Sequence, residues 1–254
     1  MDVMENLQNW ARNLTYHAQR VHRPASVEEV AEIVVGARKI RALGTRHSFN
    51  EIADSNEDLL STEFLNRVVS LDTEACTVTV EGGIPYGRLS RHLDEHGFAV
   101  HNLASLPHIS VAGAVATATH GSGERNGNLS TAVAGLEIVK ADGSTVHLKR
   151  GDADFNGAVV NLGALGVVTR VTLDLVPSFT VRQYVYDGLP LEQVEAHFDA
   201  IEASAYSVSL FTTWRQAVID QVWLKCTDDE GPFGDSFFGA TPAPENRHPL
   251  PDLS

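Results

Sequence analysis

The residues best suited to do chemistry form one short stretch, Gly44 to Asn50, which reads Gly-Thr-Arg-His-Ser-Phe-Asn. It follows a mostly apolar run at 40–43 that is typical of a short strand. A glycine at the end of a strand lets the backbone approach a ligand closely, because it has no side chain. A lone histidine is more often structural. This position nevertheless predicts that His47 lies against a large cofactor and bonds to it covalently.

A second informative stretch covers residues 101–123 and is rich in small side chains. From Ser110 to Ala118 nearly every residue is Ala, Val, Gly or Thr. A short helix of such residues brings another group close to its backbone, and free N–H groups in its first turn suit an anion such as pyrophosphate. A tightly packed core helix accounts for the same composition equally well.

Both stretches belong to a set of four glycine- or serine-rich segments, at 44–50, 105–113, 117–123 and 163–168. Each segment falls at a predicted boundary between elements. Because the four are far apart in the chain, the pattern indicates one long ligand that the backbone approaches several times. The presence of these four segments distinguishes His47 from the other histidines of the chain.

Other motifs carry less weight. His92–His96 matches the H-x-x-E-H zinc pattern, but Leu89 and Leu93 mark the buried face of the same predicted helix and no third ligand is evident. We therefore predict no metal site. Gly121–Gly123 with Gly127 matches the dinucleotide-binding pattern only loosely. The sequence contains neither a Walker A lysine loop nor a G-x-S-x-G serine elbow.

Local signals predict helices and strands that position these stretches. Ser26 with Glu29 forms a capping box that starts a helix, which we expect to end near Lys39. Asp142-Gly143 is a strong hairpin signal. Further helices are predicted at 85–97 and 191–201. Further strands are predicted at 67–71, 76–81, 132–141, 145–149, 167–175, 181–186, 206–211 and 221–225, and residues 227–254 read as a loop.

The composition is that of a globular protein with an acidic surface. Among 254 residues, 33 acidic side chains face 19 basic ones, which gives a formal net charge of -14. That balance argues against a nucleic-acid partner, which needs a basic face, and against an anionic membrane surface. The N-terminal residues lack a basic stretch followed by an apolar one, and the two cysteines form no framework. We expect a cytoplasmic monomer.

Three segments together, Gly44–Asn50, Ala104–Gly123 and Gly163–Thr169, closely resemble the flavin-binding domain of the vanillyl-alcohol-oxidase-like superfamily. Within it the resemblance is to the alditol oxidase and xylitol oxidase group, and Ser207–Thr212 with Gln221–Lys225 extends it. The resemblance implies an α+β fold. Residues 10–177 would form a PCMH-type FAD-binding domain of two α+β subdomains, and residues 178–254 the beginning of an α+β substrate (cap) domain.

The resemblance also implies an activity. FAD would be joined covalently through His47, and the primary alcohol of a polyol such as xylitol or sorbitol would be oxidised to an aldose, with O2 reduced to H2O2. The alternatives are a sugar-lactone oxidase similar to D-arabinono-1,4-lactone oxidase, or a non-catalytic flavin-binding fragment. The last arises because chains of this family continue beyond the position of Ser254 and carry their polyol-binding residues there.

By position, the resemblance assigns Ser105 to catalysis, close to flavin and substrate. Many relatives have glycine where this chain has Arg46, whose guanidinium would either pair with a phosphate of FAD or point to solvent. The implied cofactor contacts are Gly44, Thr45, Arg46, His47, Ser48, Ser105, Ser110, Gly113, Ala114, Val115, Ala116, Thr117, His120, Gly121, Gly166, Val167 and Val168.

Overall fold

The structure, a computed structural model, describes residues 7–227, 231, 233–245 and 247. The chain forms two compact units, of which the first runs up to His120 and resumes at Asn128–Ser178. The second consists of Gly121–Gly127 and the chain from Phe179 onward. Among the described residues, no helix is both long and apolar enough to cross a membrane.

Among the described residues, the first unit contains ten strands and four α-helices. The strands are β1 (Arg20–His22), β2 (Ile40–Leu43), β3 (Asp58–Ser61), β4 (Val68–Asp72), β5 (Thr77–Glu81), β6 (Phe98–Ala99), β7 (Val133–Val139), β8 (Thr145–Lys149), β9 (Val167–Asp174) and β10 (Val176–Pro177). The helices are α1 (Val27–Gly36), α2 (Tyr86–Asp94), α3 (Val111–Ala116) and α4 (Phe155–Val159), and two 3₁₀ helices lie at Glu51–Ala53 and Leu129–Ala132.

A small parallel sheet, in the order β1-β3-β2, delivers the histidine loop. Helix α1 connects β1 to β2, and the Ser26 hydroxyl caps it by accepting from the amide of Glu29 (3.2 Å). The helix ends at Gly36, so the predicted end near Lys39 is wrong. Ala37 is already extended (φ -91°, ψ 137°), because the chain must straighten before Ile40 pairs with Asp58.

A larger antiparallel sheet, in the order β4-β5-β9-β7-β8, carries the main core. Its hairpins confirm the predicted pairs at 67–81 and 132–149, and the Asp142 carboxylate accepts from the amide of Ser144 (2.9 Å) at the second turn. Strand β9 starts directly after Gly166, where a Cβ would lie 2.2 Å from the carbonyl oxygen of Val139. A residue with a side chain does not fit there, since its φ is also +141°.

The second unit is an antiparallel sheet with one helix. Its elements are β11 (Arg182–Pro190), α5 (Leu191–Glu202), β12 (Ser207–Phe211), β13 (Val218–Cys226) and β14 (Thr241–Pro242), and the strand order is β12-β13-β11-β14.

The unit differs from the sequence expectation at its end. The sequence predicts a loop over 227–254, of which 228–230, 232, 246 and 248–254 lie outside the described residues; within the rest, β14 pairs with Tyr186 and Asp187 of β11. Two residues are too few to show a strand period, and one of them is a proline, which is tolerated because the strand lies at a sheet edge. The guanidinium of Arg247 donates two hydrogen bonds, of 2.6 and 2.7 Å, to the Asp187 carboxylate.

The segment Gly121–Gly127 belongs to this second unit although it interrupts the first. Its Ser122 hydroxyl is hydrogen bonded to that of Ser207, and the Asn126 side-chain amide donates to the carbonyl oxygen of Tyr206 (3.1 Å). Gly123 is pressed against the same carbonyl, which an added Cβ would meet at 2.3 Å. A glycine-rich loop therefore serves packing within this unit.

Candidate functional site

The first unit contains a cavity of about 610 Å³. That volume lies in the range of roughly 300–1,000 Å³ expected of small-molecule and cofactor sites. Each of the four glycine- or serine-rich segments contributes to its wall, at 44–50, 105–113, 117–119 and 163–168. The structure thus brings together stretches that are distant in the sequence, as one ligand touched several times requires.

Most of the predicted contacts line this cavity. They are Gly44, Thr45, Arg46, His47, Ser48, Ser105, Gly113, Ala114, Ala116, Thr117, Gly166 and Val168.

Five predicted contacts lie outside the described lining: Ser110, Val115, His120, Gly121 and Val167. Val115 and Val167 are buried in hydrophobic clusters. His120 is exposed, and its carbonyl oxygen accepts a hydrogen bond from the Asn102 amide (2.6 Å). Gly121 lies in the second unit. Neighbours along a helix or strand point in different directions, so a continuous run of residues does not line the cavity throughout, and these five contacts stay predictions.

The imidazole of His47 is the most distinctive group in the wall. Its Nε2 atom is buried and has no hydrogen-bond partner among the described residues. Buried polar atoms are normally paired, so an unpaired nitrogen on a residue that lines a cavity indicates a group that a ligand completes. This supports the prediction that the histidine lies at the ligand and not in the core.

Other rings surround this imidazole. Trp10 stacks on it with ring centres 4.6 Å apart and planes 18° apart, and His108 stacks at 5.5 Å and 27°. Phe49 meets it edge-on at 5.7 Å. Burial, and then the nearby His47 ring, lower the pKa of His108. A neutral His108 adds no positive charge to the cluster.

Arg46 is exposed and lines the cavity, so the two roles considered from the sequence stay predictions. Its guanidinium donates through Nη1 to the carbonyl oxygen of Gln8 (3.2 Å). Its backbone is left-handed, with φ +62°, a conformation that glycine adopts without penalty. The left-handed backbone conformation would therefore account for a glycine at this position in relatives.

Tyr16 is a wall residue that the sequence did not predict. Its hydroxyl is buried and unpaired among the described residues. Burial raises the pKa of this hydroxyl; Arg46 lowers it and Asp54 raises it by smaller amounts. The hydroxyl therefore remains a proton donor at neutral pH. No local pattern marks Tyr16, since it precedes the histidine loop by some thirty residues and belongs to no motif.

Helix α3 corrects the expectation of free amides for an anion. The Val111 N–H donates to the carbonyl oxygen of Ile84 (2.9 Å), and the Ala112 N–H donates to that of Gly82 (2.9 Å). Its small residues permit this contact, because a Cβ on Gly82 would lie 2.9 Å from the Cβ of Ala112. Both interpretations of the small residues therefore hold in part: one side of the helix packs and the other lines the cavity.

Two wall glycines meet at the start of this helix. A Cβ added to Gly44 or to Gly113 would lie 2.9 or 2.8 Å from the Oγ of Ser110. That hydroxyl is buried and has no partner among the described residues. The end of β2 and the first turn of α3 are thus held at contact distance, with backbone facing the cavity on both sides.

The histidines of the H-x-x-E-H match do not form a cluster with further ligands. His96 Nδ1 lies 2.8 Å from the carbonyl oxygen of His92. Within the part of the chain that the structure describes, no three His, Cys, Asp or Glu side chains are grouped to hold a metal ion.

A family profile described as "FAD binding domain" matches residues 18–149, which is more than half of the chain. The chain belongs to this FAD-binding family. Alditol oxidase of a Streptomyces species is 50% identical over 249 residues, which cover 96% of this chain and 59% of that protein. The chain is thereby placed in the PCMH-type oxidase superfamily.

More distant relatives carry other names. L-gulonolactone oxidase of Mus musculus is 38% identical over 178 residues, covering 68% of this chain and 40% of that protein. L-gulono-1,4-lactone dehydrogenase of Mycobacterium tuberculosis is 37% identical over 180 residues, covering 69% and 42%. The FAD-binding chain spans about half the length of the curated relatives it matches.

Among solved structures, cholesterol oxidase from Brevibacterium sterolicum superimposes with a TM-score of 0.78 at 20% identity. The match covers 89% of this chain and 48% of that protein. At this identity the likeness concerns the fold alone. It confirms the α+β fold of the PCMH type that the resemblance implied.

Proposed function

We propose that the cavity of the first unit holds FAD, bonded through His47. We further propose that the whole protein oxidises the primary alcohol of a polyol such as xylitol or sorbitol to an aldose, with O2 reduced to H2O2. One observation carries the proposal: four separated segments line one cavity, and the unpaired Nε2 of His47 is buried at its wall.

The groups in the wall fit a flavin dinucleotide. Gly44 and Gly113 offer backbone without side chains, and Thr45, Ser48 and Thr117 add polar side chains to a largely apolar wall. The Tyr16 hydroxyl supplies a buried donor. A long ligand with a flat ring system and polar linkers matches this distribution.

When bound, FAD would accept a hydride equivalent from the alcohol carbon. The chain's own residues would bind and orient. Ser105 lines the cavity and carries a hydroxyl able to hydrogen bond to a substrate alcohol. We therefore propose Ser105 as the catalytic residue in this part of the protein.

The covalent link involves His47 directly. Forming this C–N bond would release one proton from the imidazole and one from the flavin methyl carbon. FAD would supply the oxidising power for this step, and dioxygen would take up the two electrons and two protons as hydrogen peroxide. The role of the chain would be to keep one imidazole nitrogen free for this bond: Nε2 has no hydrogen-bond partner among the described residues, and His47 lines the cavity.

The degree of similarity favours a polyol substrate. Identity with alditol oxidase is 50% and extends over 96% of this chain, whereas the named lactone oxidases are 29–38% identical over 68–77% of it. A polyol is uncharged, so a net charge of -14 does not repel it.

A sugar-lactone oxidase is the second candidate, because relatives of that name match 68% of this chain at up to 38% identity. One of the matching relatives is named a dehydrogenase, so the electron acceptor also needs a direct test. A flavin-binding chain without turnover is the third.

The deciding experiment measures flavin and peroxide on the same preparation. The chain is expressed with ample riboflavin, precipitated with acid, and examined for flavin that stays with the protein. Peroxide is then assayed with xylitol, sorbitol and a 1,4-lactone. Acid-stable flavin and peroxide from polyols support the proposal. Peroxide from the lactone alone favours the second candidate, and flavin without turnover favours the third. A colourless protein refutes all three.

A further inference from the structure

The segment Leu7–His17 lies against the histidine loop, although the FAD-binding family match begins only at residue 18. We name this segment the N-terminal clasp. Three hydrogen bonds join it to the two residues that flank His47. The family match and the clasp are thus different parts of the chain.

On one side of His47, the Trp10 N–H donates to the carbonyl oxygen of Arg46 (2.8 Å), and the Arg46 guanidinium donates to that of Gln8 (3.2 Å). On the other side, the Asn9 side-chain amide donates to the carbonyl oxygen of Ser48 (2.9 Å). The backbone is therefore held immediately before and immediately after the imidazole.

The clasp is itself closed by Asn9, which is only 2% exposed. The Asn9 amide donates to the Asn13 side-chain oxygen (2.7 Å), and its own Oδ1 accepts from the amide of Leu14 (3.1 Å). At the far end, the amide of His17 donates to the Asp54 carboxylate (3.0 Å). A short segment fixed at several points can hold a side chain in one orientation.

Trp10 is the residue of the N-terminal clasp whose side chain contacts the His47 ring. The indole stacks on the His47 ring at 4.6 Å, and His108 lies 6.2 Å from Trp10, so the three rings form one cluster. Of the three, only His47 lines the cavity. Trp10 and His108 therefore stack on the imidazole without lining the cavity themselves.

We propose that the N-terminal clasp is part of the cofactor site and that Trp10 is a positioning residue for His47. The indole restricts rotation of the imidazole so that one nitrogen stays at the place where the covalent bond forms. This inference rests on the proposed function. It predicts that loss of the indole slows attachment without weakening the initial binding of FAD, because misorientation of a reacting group lowers rate more than affinity.

The test follows uptake of FAD by flavin-free protein prepared from riboflavin-limited cells. Total retained flavin and acid-stable flavin are measured over time for wild type, Trp10→Leu and Trp10→Phe. Trp214→Leu is the matched control, because Trp214 is 78% exposed. We expect Trp10→Leu to slow acid-stable attachment about tenfold at unchanged total flavin. Trp10→Phe and Trp214→Leu are expected to stay within about twofold of wild type, since phenylalanine keeps a stacking ring.

Equal attachment rates in Trp10→Leu and wild type would overturn the inference. So would a parallel loss of total flavin, which marks a general folding defect. Wild-type protein that binds FAD without acid-stable attachment refutes the covalent link of the proposed function. A second measurement then tests whether Trp10 positions His47.

That measurement uses histidine-labelled, flavin-free protein and NMR. The ring protons of His47 are assigned by their absence in His47→Gln. A face-stacked indole shifts them upfield, and we expect this shift to persist in Trp10→Phe and to disappear in Trp10→Leu. Unchanged resonances in Trp10→Leu would show that Trp10 does not position the imidazole.

Discussion

The histidine loop at 44–50 and the small-residue helix α3 looked alike in the sequence, yet the structure uses them differently. The loop faces the cavity along its whole length. Helix α3 gives two of its first amides to the carbonyl oxygens of Ile84 and Gly82 and only part of its surface to the cavity. Small residues thus signal that something approaches the backbone closely, without saying whether it is a ligand or the protein itself.

The largest effect should come from the loop. His47→Ala removes the only nitrogen proposed for the covalent link, and we expect acid-stable flavin to be lost completely while reversible binding of FAD persists. His96→Ala serves as the comparison, because that histidine is exposed and lies outside the described cavity lining. Flavin that remains with denatured His47→Ala protein would contradict the assignment.

The next largest effect is expected at Gly166, where an added Cβ would collide with another part of the protein. In Gly166→Ala the new Cβ would meet the carbonyl oxygen of Val139 at 2.2 Å, at a φ of +141°. We expect the free energy of unfolding to fall by about 3 kcal/mol, measured by urea denaturation. Gly163→Ala is the matched control, since its φ is +70° and nothing lies within 4 Å. It should lose about 1 kcal/mol. Equal losses would refute the close contact.

A smaller effect is expected at Arg46, where the loop adopts φ +62°. Asparagine tolerates this conformation and valine does not, because of its branched Cβ. We expect Arg46→Val to unfold about 1 kcal/mol more easily than Arg46→Asn. Both variants lose the hydrogen bond to Gln8, so the difference isolates the backbone. Identical stabilities would show that the left-handed turn is not required.

The smallest effect concerns pH at the far end of the clasp. A hydrogen bond to Asp54 raises the pKa of His17 above 6.5, and this stabilisation is lost as pH rises through the raised value. For Asp54, burial raises the pKa, but hydrogen bonds from His17 and Ser55 outweigh it and leave it below 3.8. That stabilisation is lost as pH falls through the lowered value.

The contribution of this pair is therefore greatest between the two pKa values, in mildly acidic solution. We expect the difference in Tm between wild type and His17→Ala to be largest there and to shrink toward both alkaline and strongly acidic pH. Thermal unfolding scans across that range check it. A difference that does not change with pH would contradict the ion pair.

The sequence predicted what is decided locally. The cap formed by Ser26 and the turn at Asp142-Gly143 depend on residues within a few positions of each other, and both are confirmed. The four wall segments were also predicted, because glycine marks close approach wherever it occurs. Tyr16 and Trp10 were missed, since they reach the site only through tertiary packing and no pattern of spacing marks them.

The placement of Gly121–Gly127 has a consequence for biosynthesis. This segment leaves the ribosome well before its partners, because Ser207 follows Ser122 by 85 residues and Tyr206 follows Asn126 by 80. Protein domains generally fold as they emerge from the ribosome. The second unit cannot complete its fold at that stage, because its first segment is hydrogen bonded to residues that are synthesised much later. A chain shortened at Ser178 for expression would keep Gly121–Gly127 and lose Ser207 and Tyr206, to which this segment is hydrogen bonded.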